Sequence, residues 1–219
     1  MSGDYALALD HLVVAARSLD EGVRWCEATL GVTPGPGGKH PLMGTHNRLF
    51  GIAGEFFPRA YFEIIALDPE ATPPQRARWF GLDAIDLGSG PRLLHLVLRC
   101  AQVDAQAAAL RAAGFDPGAA IAASRETPQG RVEWRITVRE DGRLLCGGAL
   151  PTLIEWGPVH PTDSMPASGV SLRALTLRGL PEAAVQALPM TGIECATGSG
   201  PALRATLDTP LGRVTLHSH

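Results

Sequence analysis

The sequence predicts an α+β fold made of two βαβββ modules in tandem with a C-terminal partial third module. Two observations predict it: an internal repeat, and the order in which strand-like and helix-like apolar periods follow one another. The run "LDHLVVAARSLDEGVRWCEATLG" (Leu9 to Gly31) finds a counterpart in "LLHLVLRCAQVDAQAAALRAAGFDP" (Leu93 to Pro117). His11 and His95 hold equivalent places in their apolar runs, and an aspartate follows nine residues later in each, Asp20 and Asp104. A glycine comes 20 and 19 residues after the histidine, and a proline 23 and 22 residues after it. Such self-similarity is best explained by a duplicated module.

Each element has a local reason. Leu9 to Ala15 is a continuous apolar run, hence a buried strand. Ser18 and Asp20 offer N-caps; Val23, Trp25, Cys26 and Leu30 recur at near-helical spacing, and Gly31 closes the helix. Strands are expected at Gly31 to Pro34, Thr45 to Ile52 and Ala60 to Leu67, with "TPGPGGKHPLMG" as a loop because of its glycines and prolines. In the second unit, Arg131 to Glu140 and Leu150 to Gly157 supply the closing strands. The division is residues 1–72 for the first module, 73–92 for a connector, 93–160 for the second module and 161–219 for an α/β extension. Within the connector, "PQRARWFGLDAI" reads as a helix that covers an edge of a cavity. The extension reads as strand, short helix and three strands, without an inward histidine at its first strand, and is expected to serve packing or dimerisation.

Composition excludes several classes. With 19 Lys and Arg against 22 Asp and Glu, the net charge is −3 and the cations are scattered, so nucleic acid and anionic membrane are not expected partners. No stretch approaches the length of a membrane helix, and "MSGDYALALD" lacks a basic region followed by an apolar one, so the protein is expected to be cytoplasmic. Cys26, Cys100, Cys146 and Cys195 lie far apart and are expected to be free and buried. A small molecule is the expected partner, with a homodimer as the oligomeric expectation.

Glu63 and Glu155 are acids within otherwise apolar closing strands. A buried carboxylate needs a partner or a cation. Together with His11 and His95 they make a set of two imidazoles and two carboxylates, one pair per module. Such a set suits a divalent Ni, Zn, Mn, Co or Fe ion with open positions for water or substrate; the alternative is strand residues facing solvent. In "KHPLMGTHNRL", Gly44 allows a tight approach, and His46 and Asn47 are candidate substrate contacts unless they satisfy their own turn. His40 is expected to be exposed. Trp134 and Arg135 alternate along a strand, so one of them faces the cavity; Arg135 is the candidate substrate contact. Trp156 is expected to face away.

These residues resemble the vicinal oxygen chelate superfamily, which includes glyoxalase I, methylmalonyl-CoA epimerase, extradiol dioxygenases and bleomycin resistance proteins. The stretch from Leu9 to Ile52 with "GTHN", followed by "YFEIIALDPE", looks closer still to glyoxalase-like domain proteins. The resemblance spans roughly residues 7 to 160. It implies two half-open sheets around a metal and substrate cavity, and it places His11, Glu63, His95 and Glu155 on the ligand pattern of bacterial glyoxalase I. The function it implies is that of a lyase, isomerase or epimerase in which a Lewis-acid metal polarises a carbonyl while Glu155 or Glu63 moves a proton. A resistance-type binding protein and an extradiol-type dioxygenase using His11, His95 and Glu155 are the alternatives.

Overall fold

The computed structural model describes residues 7–127 and 130–218; the first six residues, which carry part of the N-terminal reading above, lie outside them. The first module runs β1 (Leu7–Ala15), α1 (Leu19–Leu30), β2 (Gly35–His40), β3 (Thr45–Gly51) and β4 (Tyr61–Leu67). The second runs β5 (Arg92–Arg99), α2 (Val103–Ala112), β6 (Ala119–Thr127), β7 (Gly130–Val138) and β8 (Thr152–Trp156). In each, the first strand pairs in parallel with the last, β1 with β4 and β5 with β8, while β1 and β5 pair antiparallel across the pseudo-twofold. One continuous sheet results, in the order β2-β3-β4-β1-β5-β8-β7-β6. Paired modules are therefore what the chain builds.

α1 begins and ends where the sequence places it. The Ser18 hydroxyl accepts from the Glu21 amide at 3.2 Å, and Gly31 takes the left-handed conformation with φ 69°. Its buried face is Gly22, Cys26 and Leu30, laid on the convex side of the sheet. Contact there is close: a Cβ on Gly22 would lie 2.3 Å from Ile64 Cγ2. Gly22→Ala is accordingly expected to destabilise the protein by about 1–3 kcal/mol despite alanine's better helix propensity, a loss that chemical denaturation would read.

Two strands run where the sequence points elsewhere. β2 lies inside the glycine- and proline-rich segment expected to be a loop. As an edge strand it tolerates Pro36, and its glycines are required by proximity: a Cβ on Gly37 would come within 2.2 Å of the Asn47 carbonyl oxygen. β6, "AAIAASRET", is the other edge and is half exposed, so it lacks the apolar signature of a buried strand. The sheet curls until these edges approach, with Arg125 of β6 lying against Gly38 of β2.

The connector is not a helix. It forms only a 3-10 turn at Trp79–Gly81, where Asp83 accepts from the Arg78 amide at 2.7 Å and the Arg78 guanidinium at 2.6 Å. Trp79 and Phe80 are buried, and the turn drops both rings into the concave side of the sheet. Phe80 holds φ 58°, a costly conformation for a side-chain-bearing residue, kept by ring contacts to Trp79 and His95 at 5.5 Å each.

The extension supplies β9 (Ser171–Arg178), α3 (Glu182–Ala187), β10 (Met190–Thr191), β11 (Ile193–Ala196), β12 (Leu203–Thr209) and β13 (Gly212–His217). β10 adds to β1, and the rest form a sheet in the order β11-β9-β12-β13. Here the first strand, β9, pairs in parallel with β11 and antiparallel with β12, not with the last, so the pairing differs from that of the two modules. Leu172, Leu175, Leu177, Leu203 and Leu207 join the convex core. The cysteines are free; Cys26 is buried, Cys100 and Cys146 are partly so, and Cys195 is exposed.

Candidate functional site

The concave face carries a second apolar cluster, with Val13, Ile65, Val97, Trp134, Ile136 and Ile154 closed over by Trp79 and Phe80. At its floor lies a small pocket of about 30 Å³, lined by His11, His40, Asn47, Tyr61 and Glu63 on one side and by Trp134, Ile154 and Trp156 on the other.

A β-bulge builds the floor. β1 pairs Leu9 with Leu98 and then His11 with Val97, so Asp10 is an extra residue, and neighbours that would normally point to opposite faces come together. Asp10 is fully buried and accepts three bonds: from His11 Nδ1 at 2.6 Å, Trp156 Nε1 at 2.9 Å and His160 Nε2 at 2.9 Å. On its other side, His11 Nε2 stands 3.5 Å from Glu63 Oε2, and the ring stacks on Tyr61 at 4.6 Å. Asn47 Nδ2 donates to Glu63 Oε1 at 2.6 Å. The line Asp10–His11–Glu63–Asn47 is thus continuous and buried.

Its electrostatics follow. Burial works against a charged imidazole, but the hydrogen bonds and charges of Asp10 and Glu63 prevail and push His11 up to about 9. Burial likewise opposes both carboxylates, yet His11 and His160 hold Asp10, and His11 and Asn47 hold Glu63, below the usual range. At neutral pH the site holds an imidazolium between two carboxylates. His40 is buried rather than exposed: its Nδ1 lies 3.0 Å from Thr45 Oγ1, and burial lowers it to about 4, so it stays neutral.

The expected quartet divides. His11 and Glu63 meet, but His95 is enclosed beneath Phe80, with Nδ1 on the Gly148 carbonyl at 2.9 Å and Nε2 against the Thr152 hydroxyl at 2.9 Å. Burial drives it down to about 3 and keeps it neutral. Register explains why its partner is a hydroxyl. Val13, two residues past His11, pairs with Glu63, whereas Val97, two residues past His95, pairs with Thr152. Thr152 is therefore the counterpart of Glu63, and Glu155, an odd number of residues further along, points to the opposite face.

There Glu155 has other work: its Oε2 accepts from the Val103 amide at 2.8 Å, capping α2, whose own N-cap residue, Gln102, makes no side-chain capping bond. Trp156 takes the concave place, the reverse of the expectation. Glu155→Ala should cost about 1 kcal/mol of stability through the lost cap and leave ligand binding in the concave pocket unchanged, as parallel thermal melts and titrations would show. Arg135 also faces outward and pairs with Asp104 at 2.8 Å, while Trp134 faces the pocket. His46 lies on the far side of β3 from Asn47, 4.0 Å from Asp68. Asn47 alone of the expected substrate contacts reaches the pocket.

Among the described residues no three His, Cys, Asp or Glu side chains are placed to hold a metal ion. The donors present do not fit the expected four-ligand centre, because the second module offers a hydroxyl and a fully hydrogen-bonded imidazole where the first offers a carboxylate and His11.

Comparison with known proteins agrees with this architecture. The model of the glyoxalase-like domain family matches residues 9–191. The chain belongs to that family. With it, the glyoxalase-like protein falls within the vicinal oxygen chelate superfamily. A crystal structure of a hypothetical protein from Staphylococcus aureus superposes with a TM-score of 0.56 at 13% identity, over 97% of this chain and 86% of that one, a likeness of fold. Methylmalonyl-CoA epimerase in complex with methylmalonyl-CoA and NH4+ gives 0.46 at 18% identity, over 74% and 99%. The epimerase from Mycobacterium tuberculosis gives 0.43 at 19% identity, over 73% and 93%. A search of curated proteins found no match. No helix among the described residues is long and apolar enough to cross a membrane.

Asp10 and His160 are the residues of the candidate site that sequence patterning passes over. Alternation assigns Asp10 to the face opposite His11, and only the bulge reverses it. His160 lies in the chain after β8, where its Nδ1 also faces the Thr162 hydroxyl at 2.7 Å.

Proposed function

We propose that this glyoxalase-like protein binds a small carbonyl compound in the concave pocket and moves a proton at the carbon beside that carbonyl. The observation that supports the reading is the buried Asp10–His11–Glu63 line on the floor of an aromatic pocket, since oppositely perturbed titratable neighbours in a cavity mark acid-base sites. At 3.5 Å the contact between His11 Nε2 and Glu63 Oε2 is a long, weak hydrogen bond, so a carbonyl oxygen can replace Glu63 as the acceptor of the Nε2 proton at small cost. Glu63 then accepts the proton from the adjacent carbon, the C–H electron pair becomes the enolate double bond, and the imidazolium stabilises the oxygen. Return of the proton to either face, or loss of a leaving group, would make the outcome an isomerisation, an epimerisation or an elimination.

His11 carries out in this scheme the polarisation expected of a metal. Asp10 holds its Nδ1 and keeps the ring cationic; Asn47 orients Glu63. The test is deuterium wash-in by NMR for small oxo acids such as pyruvate and 2-oxobutyrate. Exchange above the buffer rate that survives chelator treatment supports the reading. Binding without exchange would leave a sequestering protein in its place.

A further inference from the structure

Resting on that reading of the pocket, we infer that the ligand is an amphipathic oxo-carboxylate, its carboxylate paired with Arg125 and its apolar tail laid in an outer groove. The inner pocket is small, about 30 Å³, so it holds little beyond the reacting carbonyl end and most of any larger organic ligand must lie outside it. Beside it opens a groove of about 660 Å³ between the β2 edge and the chain following β8. Its apolar walls include Val32, Phe50, Val132, Val159, Met165 and Pro166.

Leu49 and Arg125 line both spaces, so they form the throat where groove meets pocket. Arg125 is held there by geometry, its Cδ and Nη1 lying 2.9 Å from where a Cβ on Gly38 would stand. On the neighbouring β7, by contrast, Arg135 pairs with Asp104 and Arg131 with Glu133. Among the described residues, Arg125 has no ion pair and makes no hydrogen bond through its guanidinium. A half-buried cation without an anion, between an apolar groove and a pocket bearing an imidazolium donor, matches one ligand outline. An oxo group reaches His11, a carboxylate two or three bonds away meets the guanidinium as a planar fork, and a hydrocarbon tail fills the groove.

The probes are decanoate, decanol and propionate, titrated against the full-length protein by quenching of the pocket tryptophans Trp79, Trp134 and Trp156. Decanoate should bind at least about tenfold more tightly than decanol, for the headgroup, and than propionate, for the tail. Arg125→Gln should weaken decanoate about tenfold or more and leave decanol unchanged. Ala167→Trp, which fills the groove, should weaken decanoate and decanol but not propionate. Equal affinity of decanoate and decanol, equal loss of both in Arg125→Gln, or no decanoate binding at all would overturn the inference. Should Arg125→Gln keep the wild-type preference for decanoate over decanol while Ala167→Trp weakens both, the groove would stand and the assignment of the headgroup to Arg125 would fall. Wash-in on pyruvate, which needs no tail, is read in the same preparations. Glu63-dependent exchange there with failed decanoate titrations would reject the ligand class and retain the proton-transfer site.

Discussion

Asp10→Ala should lower stability by roughly 3–5 kcal/mol, the usual loss when one partner of a buried ionic cluster is removed. At roughly 2–4 °C per kcal/mol for a chain of this size, Tm should fall by about 6–20 °C in a calorimetric melt. The cause is specific: three buried donors, His11 Nδ1, Trp156 Nε1 and His160 Nε2, lose their common acceptor at once. Asp10→Asn should cost less, since the amide oxygen still accepts while its NH2 opposes one donor. The pH dependence differs as well. His11 is raised from 6.5 to about 9 on folding, so its stabilisation is complete below pH 6.5 and is lost as pH rises through 9. Wild-type Tm should therefore decline between those values, and the decline should flatten in Asp10→Asn. A Tm change within experimental error for Asp10→Ala would contradict the buried three-donor geometry.

Glu63→Gln should reduce proton exchange on the oxo-acid probes by about a hundredfold or more, the range lost with a positioned general base. Binding should change far less, because glutamine still fills the space beside Asn47 and His11. Glu155→Gln serves as the contrast. The two acids look alike in sequence, yet Glu155 caps a helix on the convex face, so its replacement should leave exchange at the wild-type rate. Comparable loss in both variants would mean that the second module contributes its acid after all.

The paired modules were legible because their signals are local and repeated. Ser18 and Gly31 bracket α1, and His11 and His95 begin equivalent strands. β2 and β6 were not, since edge strands rich in glycine or alanine bury little and carry no apolar period. At the site, His11 and Glu63 were legible as polar residues in apolar strands, and Asn47 as one of the clustered polar side chains that follow Gly44. What alternation could not supply was register over a distance. Aligning the modules at their histidines pairs Glu63 with Glu155 by kind, whereas the strand ladder pairs it with Thr152 by position. A shift of three residues reverses the face, and the uncapped start of α2 gives the displaced glutamate a different role. Asp10 was hidden by a bulge, a feature of pairing between strands. Arg125 was hidden because its solitude depends on which edges meet when the sheet curls.

The state of the His11 ring tests most directly whether the first module works as a proton-holding pair in place of the expected four-ligand centre. Nitrogen-15 NMR of histidine-labelled, chelator-treated protein reads both ring nitrogens across a pH series. Both His11 nitrogens should remain protonated at neutral pH, with loss of the proton centred near 9, and zinc or nickel should leave that titration in place. A His11 that deprotonates near the ordinary 6.5, or whose Nε2 resonance moves to a metal-bound position on addition of either ion, would contradict it.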